Sequence, residues 1–475
     1  MPHRTQQQRR NGTGVQTVVQ HRPRRAHEPE KVAAAIRGAL DSGVPALLQK
    51  LISSYHPMDI ALAMRDLNRE QREAVFELLS PAASGIVLEE VDDDVTVELA
   101  EATEEGELAE IIDTMPPDVG ADVMNLLDQE QVHRILEHIP DEESDEIEDL
   151  ARYAPDTAGG IMTSEVIFAP MDLTARDVIS HIRTRQIPPE SLLYIYVVDD
   201  ERRLRGAIDM ADLVLARPDQ PLPDFMTADV ISVTADTDQE QAAKIVDQYD
   251  LSALPVVDDT GRLVGQVTVD DIIDAIQEEH TEDLARMAGT SPRDVLSASS
   301  MQVAALRLPW LAICFGGTLV SAMVIKSFTE LLTAFVQLAA FIPVIAATSG
   351  NAGLQSAAIM VRSLSLGHQQ QAKVGRVVMR QLGAALVMAT IVGVVAGIAG
   401  HLIMGAPQMG LVVAIGMFFA VTWGTTMGAV VPILFDRVGI DPAVASGPLV
   451  STINDVVSLL VYLSLGSVLL RTWVP

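Results

Sequence analysis

The stretch LVSTINDVVSLLVYLSLGSVLL (449–470) decides the fold of the C-terminal part of this chain. It is long and apolar enough to cross a bilayer as a helix, which takes about 20 residues. Asp455 interrupts it, and a carboxylate at that depth is costly unless it faces water, a cation or a buried partner. Asn454 and Ser451 add oxygen atoms of the kind that hard cations prefer. The stretch favours a cation path, although a protonated carboxyl, or one paired with a lysine of another helix, is an open alternative.

Apolar segments fill the chain from about residue 307 onward and predict five transmembrane helices. They are expected at 308–328, 331–361, 377–404, 410–434 and 446–470. The second is long enough to be tilted, or broken at Pro343. Loops rich in Lys and Arg stay in the cytoplasm, and such residues lie between the second and third spans and, as Arg437, between the fourth and fifth. We therefore expect a multi-pass protein of the cytoplasmic membrane with its N-terminal domains in the cytoplasm and its C-terminus outside.

Charge separates this apolar part from the rest of the chain. The formal net charge is −31, from 33 Lys and Arg against 64 Asp and Glu. Residues 301–475 hold four acids and eight bases, which leaves 60 acids and 25 bases, a net charge of −35, for residues 1–300. This excess argues against nucleic acid as a partner, because phosphate contacts need clustered Lys and Arg. Dense acidic runs at 89–94, 101–107 and 141–149 favour cations, although such runs are also typical of solvated surfaces.

The soluble part begins with a tail and a helical region. Residues 1–30 carry six arginines and little apolar character, so we expect a disordered basic tail. Residues 31–158 predict an acidic, all-α superhelical N domain, because apolar residues recur at helical spacing and prolines separate the segments. The clearest such segments are 60–67, 72–80, 106–115, 121–127 and 131–139.

An internal repeat occupies residues 159–278, with copies at about 162–215 and 226–278. MTSEVIFAPMDLTARDVISHIR (162–183) aligns with MTADVISVTADTDQEQAAKIVD (226–247), and VVDDERRLRGAIDMADL (197–213) aligns with VVDDTGRLVGQVTVDDI (256–272). Each copy predicts a strand, a helix, a β-hairpin and a second helix. The repeat resembles an α/β cystathionine-β-synthase (CBS) pair.

That resemblance implies a regulatory module of a kind that often holds adenine nucleotides or other small ligands between its copies. The second copy keeps the ribose-contacting pattern in GQVTVDD (265–271), with Thr268 and Asp271 as the candidate residues, whereas the first copy has Asp209 in place of the hydroxyl. ATP is therefore a candidate ligand at one site. The alternative is an empty scaffold in which Thr268 and Asp271 cap a helix.

The whole chain from about residue 35 resembles the MgtE family of magnesium channels. The parts follow in the same order: N domain, CBS pair, connecting (plug) helix at 279–306 and a five-helix α transmembrane domain at 307–475. The local strings that carry the resemblance are ARYAPDTAGGIMT (151–163), YIYVVDD (194–200), SGNAGLQS (349–356) and GIDPAVASGPLVSTINDVVSLLVYL (439–463). Two small departures are Ser349, where family members often have glycine, and Gly447, where some have asparagine.

The resemblance implies a homodimer in membrane lipid that takes up Mg²⁺. Asp455 would bind a largely hydrated ion in the pore, since Mg²⁺ dehydrates reluctantly, and Asn454, Asn351 and Gln355 would line or support the path. It also implies that cytosolic Mg²⁺ closes the pore by bridging acids of the N domain, CBS pair and connector. The regulatory candidates are Glu240, Asp250, Asp271, Asp274, Glu279, Glu282, Asp283 and Asp441.

Other functions are possible for these residues. A transporter of Co²⁺ or Mn²⁺ fits the same oxygen ligands. A membrane-anchored nucleotide or cation sensor would explain the CBS pair and the N domain, but not Asp455 in the fifth span. We do not expect an enzyme, because the sequence contains no Walker loop, zinc-ligand spacing or nucleophile motif.

Overall fold

The computed structural model describes residues 28–185, 192–290, 300–365, 371–444 and 447–473. Nearly all of the predicted basic tail therefore lies outside the described residues. The chain forms two compact units. One holds residues up to 230 with 234–236 and 256–266, and the other holds 231–233, 237–255 and the residues from 267 onward.

Short helices form the N-terminal region, and the predicted helical segments are confirmed there. Prolines start α1, α2, α3, α5 and α8, where the missing amide hydrogen and the fixed φ angle suit the first turn. The helices are α1 (Pro29–Asp41), α2 (Pro45–Ile52), α3 (Pro57–Met64), α4 (Arg69–Phe76), α5 (Pro81–Glu90), α6 (Asp93–Ala102), α7 (Glu105–Asp113), α8 (Pro117–Leu126), α9 (Gln129–Leu136) and α10 (Asp141–Leu150).

These helices stack in two rows. From α3 onward, odd-numbered helices contact the next odd one, and from α4 onward even-numbered helices contact the next even one. Apolar side chains such as Met64, Leu99 and Ile112 are buried between them. This arrangement is the superhelical stack expected from the sequence, because each helix pair contacts its neighbours along the chain.

The two repeat copies have the predicted order of elements. The first copy contains β1 (Phe168–Pro170), α11 (Ala175–Arg185), β2 (Tyr194–Val198), β3 (Leu204–Asp209) and α12 (Met210–Leu215). The second contains β4 (Val233–Thr234), α13 (Gln239–Tyr249), β5 (Ala253–Val257), β6 (Leu263–Thr268) and α14 (Val269–Met287). The sheet orders are β1-β2-β3 and β4-β5-β6. In the first sheet β1 pairs with β2 in parallel, and β2 pairs with β3 antiparallel with Tyr196 opposite Ala207.

The connector continues from the second repeat. α14 runs without a break from Val269 to Met287, so the boundary predicted at 278/279 lies inside one helix. Gly289 follows with φ +72°, a left-handed conformation that glycine adopts without steric cost. Residues 291–299 of the predicted connector lie outside the described residues.

Five helices in the described part of the chain are long and apolar enough to cross a membrane. They include α15 (Ser300–Ser327), α17 (Ile342–Ser365), α18 (Gln371–Met404), α19 (Pro407–Arg437) and α20 (Pro448–Trp473). The short helix α16 (Thr329–Ala334) and a 3₁₀ helix, Val336–Phe341, precede α17. The predicted second span is interrupted at Phe335, between α16 and the 3₁₀ helix. Pro343 does not break it, because this residue lies in the first turn of α17 and needs no amide hydrogen there.

Glycines bring three of these helices close together. A Cβ atom at Gly353 of α17 would lie 3.0 Å from the carbonyl oxygen of Gly424 of α19. Between α18 and α19, a Cβ atom at Gly397 would lie 3.0 Å from the carbonyl oxygen of Gly410. Small residues allow such backbone approach in lipid, where van der Waals packing drives helix association.

Candidate functional site

A pocket of about 310 Å³ opens between α17 and α20, and Asp455 lies in its wall. The residues that line it recur on one face of each helix, at intervals of three and four on α17 and of four on α20. They are Pro343, Ala346, Ala347, Gly350, Asn351, Leu354, Ser451 and Asp455.

The Asp455 carboxylate faces this pocket without a protein partner. Among the described residues, no hydrogen bond or ion pair involves it. Gly350 leaves open the space opposite the carboxylate, since a Cβ atom there would lie 3.8 Å from Asp455 Oδ1 and 3.5 Å from Ser451 Oγ. The lysine-paired alternative therefore has no support in the described structure. A half-buried carboxylate of this kind can hold a cation or hydrated ion.

Asn351 and Gln355 differ in position. Asn351 lines the pocket with Asp455 and contributes an amide group to it. Gln355, four residues later on α17, is exposed and does not line the pocket. The structure therefore brings one of these two predicted residues to the carboxylate.

Asn454 lies inside the helix bundle and not in the pocket. Its side chain has no exposed surface, and its Nδ2 atom donates a hydrogen bond to Ser349 Oγ at 2.8 Å. Ser458 Oγ donates to Asn454 Oδ1 at 3.2 Å. The Asn454 side-chain amide is therefore hydrogen-bonded between helices and away from the pocket, whereas the sequence suggested an oxygen ligand for the ion.

Glu279 and Glu240 lie in the same acidic neighbourhood of α13 and α14. The side-chain amide of Gln239 donates a hydrogen bond to Glu279 Oε1 at 2.8 Å, and Lys244 forms an ion pair with Glu240 at 2.9 Å. Burial raises the pKa of Glu279, and the nearby charges of Glu240 and Glu282 raise it further. A bound cation would relieve this repulsion.

Thr268 and Asp271 together cap the start of α14. The backbone amide of Thr268 donates to Asp271 Oδ2 at 3.3 Å, and the Thr268 hydroxyl also hydrogen-bonds this carboxylate. Burial raises the pKa of Asp271, and Asp270 and Asp274 add repulsion. The two residues predicted to contact a ribose are thus engaged with each other as a capping box.

The remaining acids of the predicted regulatory set are more dispersed. Asp250 ends α13 in the left-handed conformation, with φ +52°, and Asp274 is exposed. Asp283 is half-buried and has an interaction partner. In the described parts of the chain, no three His, Cys, Asp or Glu side chains converge as a metal-binding group.

Arg286 near the end of α14 joins two of the predicted acids. Its guanidinium group donates to Glu282 one turn earlier and to Asp441 in the segment before α20. Gly447 lies so close to the carbonyl oxygen of Met287 that a side chain there would clash. The end of α14 is therefore held against the start of α20. Sequence reasoning missed Arg286, although its spacing of four from Glu282 on a helix is the usual signal of an ion pair.

Comparison with known families covers most of the chain. The MgtE intracellular N domain model matches residues 55–156, the CBS domain model matches 158–219 and 223–278, and the MgtE model, described as a divalent cation transporter, matches 342–465. A magnesium transporter MgtE from Thermus thermophilus is 33% identical over 448 residues, which are 93% of this chain and 99% of that protein.

The chain belongs to the MgtE family. A second member, the magnesium transporter MgtE of Bacillus subtilis, is 30% identical over 437 residues, covering 89% of this chain and 94% of that protein. The resemblance predicted from the sequence is confirmed, and so is the expectation that the chain is not an enzyme, because MgtE proteins are transporters.

A solved structure of a cytosolic MgtE domain is also similar. The crystal structure of the cytosolic domain of the Mg²⁺ channel MgtE in complex with ATP is 34% identical and covers 51% of this chain and 99% of that chain, with a TM-score of 0.49.

Proposed function

We propose that this protein carries Mg²⁺ across the cytoplasmic membrane past Asp455. The observation that supports this most directly is a carboxylate that has no partner among the described residues and faces a pocket between two candidate membrane spans. The named activity of the two relatives, magnesium transport, agrees with it. A sensor that transports nothing would have no use for a costly carboxylate at this depth.

The pocket has room for a hydrated ion. Mg²⁺ prefers octahedral coordination and keeps most of its waters. Six waters at about 30 Å³ each need about 180 Å³, less than the pocket volume of about 310 Å³. Asp455 would supply the charge that attracts the ion, and Asn351 and Ser451 would hydrogen-bond to its waters.

Flux measurements test this function. In liposomes, Asp455→Asn is expected to abolish Mg²⁺ uptake, because the amide keeps the size of the carboxylate but not its charge. Asp436→Asn is the matched control, since Asp436 is an exposed acid near the end of α19 and its loss should leave uptake unchanged. Monodisperse wild-type protein that passes no Mg²⁺ would contradict the proposal, and selective passage of Mn²⁺ or Co²⁺ would favour the alternative substrates.

The proposal includes the assembly and orientation implied by the family. Two copies would form a homodimer in the lipid bilayer, with N-terminal domains in the cytoplasm and C-termini outside. Light scattering of the purified protein tests the dimer. Labelling of Cys314, the single cysteine, cannot report on the termini, so cysteines introduced near each terminus of a Cys314→Ala variant test the orientation.

Cytosolic Mg²⁺ is proposed to close the path. Burial raises the pKa of Asp271 and Glu279, and repulsion from neighbouring carboxylates around α13 and α14 raises it further. Mg²⁺ that bridges them would draw these segments together and shift α14, whose end contacts the segment before α20. Such a switch needs about 5 kcal/mol of differential binding, which several weak sites can supply together.

Combined neutralisation tests this gate. Replacing Asp271, Asp274, Glu279 and Glu282 with their amides is expected to make flux insensitive to cytosolic Mg²⁺ while uptake itself persists. Neutralising four exposed acids outside the predicted regulatory set (Asp212, Asp219, Asp224 and Asp229) would control for the change in net charge. Unchanged inhibition in the first variant would rule out this set of acids.

ATP binding at the CBS pair stays a prediction. The pattern around Thr268 supports it, but Thr268 and Asp271 already bond to each other, so a ribose would have to compete with a helix cap. Calorimetric titration of ATP into wild type and Thr268→Val decides whether the site exists.

A further inference from the structure

A closed set of hydrogen bonds lies beside the Asp455 pocket, on the inner side of the same two helices. Asn454 Nδ2 donates to Ser349 Oγ at 2.8 Å, the Ser349 and Ser458 hydroxyls are 2.9 Å apart, and Ser458 Oγ is 3.2 Å from Asn454 Oδ1. None of the three side chains is exposed. We call these three residues the polar clasp.

The polar clasp joins two helices, and a third helix packs against it. Ser349 belongs to α17 and the other two residues to α20. Gly424 of α19 packs directly against the clasp, because a Cβ atom there would lie only 2.8 Å from Asn454 Oδ1. The Ser349 hydroxyl is also within 2.8 Å of the carbonyl oxygen of Ile345. Each polar side-chain atom of the clasp thus has a hydrogen-bond partner within the protein.

Two stripes run side by side along α20. Ser451 and Asp455 form one stripe and face the pocket, whereas Asn454 and Ser458 form the other and face α17 and α19. Residues four apart share a face of a helix, and adjacent residues lie about 100° apart around its axis. Fixing the Asn454 stripe therefore fixes the direction in which the Asp455 stripe points.

We propose that the polar clasp sets the rotation of α20 and so aims Asp455 into the pocket. Asn454 is then a positioning residue that never binds the ion, and Ser349 is its partner on the facing helix. Apolar packing alone resists rotation weakly in lipid, since lipid tails are as apolar as the side chains they replace. Hydrogen bonds whose loss strands a buried partner resist it more strongly. The role in transport rests on the proposed function, but the rotation does not.

Transport of Mg²⁺ gives the first test. Ser349→Ala and Asn454→Leu should each lower flux by about tenfold or more, since stranding one buried partner is enough for such a factor. The double variant should be no worse than Asn454→Leu, because both changes break the same clasp. Ser467→Ala, which alters a serine of α20 outside the clasp, should transport like wild type.

A ligand role for Asn454 predicts a different pattern. Ser349→Ala would then leave flux close to wild type while Asn454→Leu alone reduces it, and that result would overturn the proposal. Independent, multiplying losses in the double variant would overturn it as well.

Thiol labelling tests the rotation without any need for transport. In a Cys314→Ala background, Ser451→Cys should react rapidly with a water-soluble thiol reagent, because position 451 lines the pocket. Thr452→Cys should react slowly, because Thr452 packs against Gly317 of α15. Adding Ser349→Ala should bring the two rates together.

The labelling result tests the clasp proposal separately from the proposed transport function. If the Ser349→Ala protein remains monodisperse and the labelling rates at positions 451 and 452 do not change, the clasp does not set the rotation of α20. If the rates converge but wild type carries no Mg²⁺, the clasp stands and the proposed transport function falls.

Discussion

Gly424 of α19 has no room for a side chain. An added methyl group would clash with the Ser349 carbonyl and lie 2.8 Å from Asn454 Oδ1. Overpacking of this kind costs about 1–3 kcal/mol, so Gly424→Ala should lower the melting temperature in detergent. Gly383→Ala on α18 is the control, since a Cβ atom there meets nothing within 4 Å. Equal melting temperatures for the two variants would contradict the packing described for Gly424.

Asp271 should make stability depend on pH. Burial raises the pKa of Asp271, so its contribution to stability is fully present below the ordinary carboxyl pKa and is lost as pH rises through the raised value. Asp271→Asn keeps the oxygen that caps α14 and removes the buried charge. Its melting temperature relative to wild type should therefore be higher at pH 7 than at pH 4. Asp270→Asn, at an exposed neighbour, should show a smaller pH dependence, and the reverse order would exclude Asp271 as the cause.

Helix α14 reaches the apolar helices through Arg286. The guanidinium forms ion pairs with Glu282 and Asp441. Removing one partner of a half-buried ion pair is destabilising, because the remaining charge is left uncompensated. Arg286→Gln should therefore raise flux at zero cytosolic Mg²⁺ and make inhibition by Mg²⁺ steeper, because two carboxylates become free to bind it. Patch or liposome flux against cytosolic Mg²⁺ measures both effects.

Two variants control for this change. Arg286→Lys keeps the charge and should behave nearly as wild type, and Arg152→Gln removes an exposed arginine that pairs with Glu148 and Asp149. A change in flux and in Mg²⁺ inhibition in Arg152→Gln equal to that in Arg286→Gln would show that net charge, and not the contact of α14, is responsible.

Residues 1–300 carry a net charge of −35, which favours expansion through self-repulsion. Mg²⁺ should therefore raise the melting temperature of the full-length protein more than NaCl of the same ionic strength, because NaCl screens charges but does not bridge carboxylates. The variant with four amides at 271, 274, 279 and 282 should lose part of that difference. Identical melting temperatures in the two salts would argue against Mg²⁺ bound by the acids of residues 1–300.

Sequence patterns determined the elements of this protein. Apolar length fixed the five candidate spans, because a helix in lipid must satisfy its own backbone. Proline and apolar spacing predicted the short N-terminal helices, and the aligned repeat predicted both small sheets. The choice of Asp455 as the candidate site residue also came from the sequence, since a charged side chain within an apolar stretch is costly to bury in lipid.

Only the tertiary structure decided what the polar residues near Asp455 do. Asn454 and Asp455 are adjacent in sequence and equally polar, yet one faces α17 and α19 and the other faces the pocket. The partners of Asn454 include Ser349, 105 residues away, and no local pattern encodes that distance. Ser349, Gly424 and Arg286 matter because helix packing brings them to their partners, and packing depends on which faces of the helices meet.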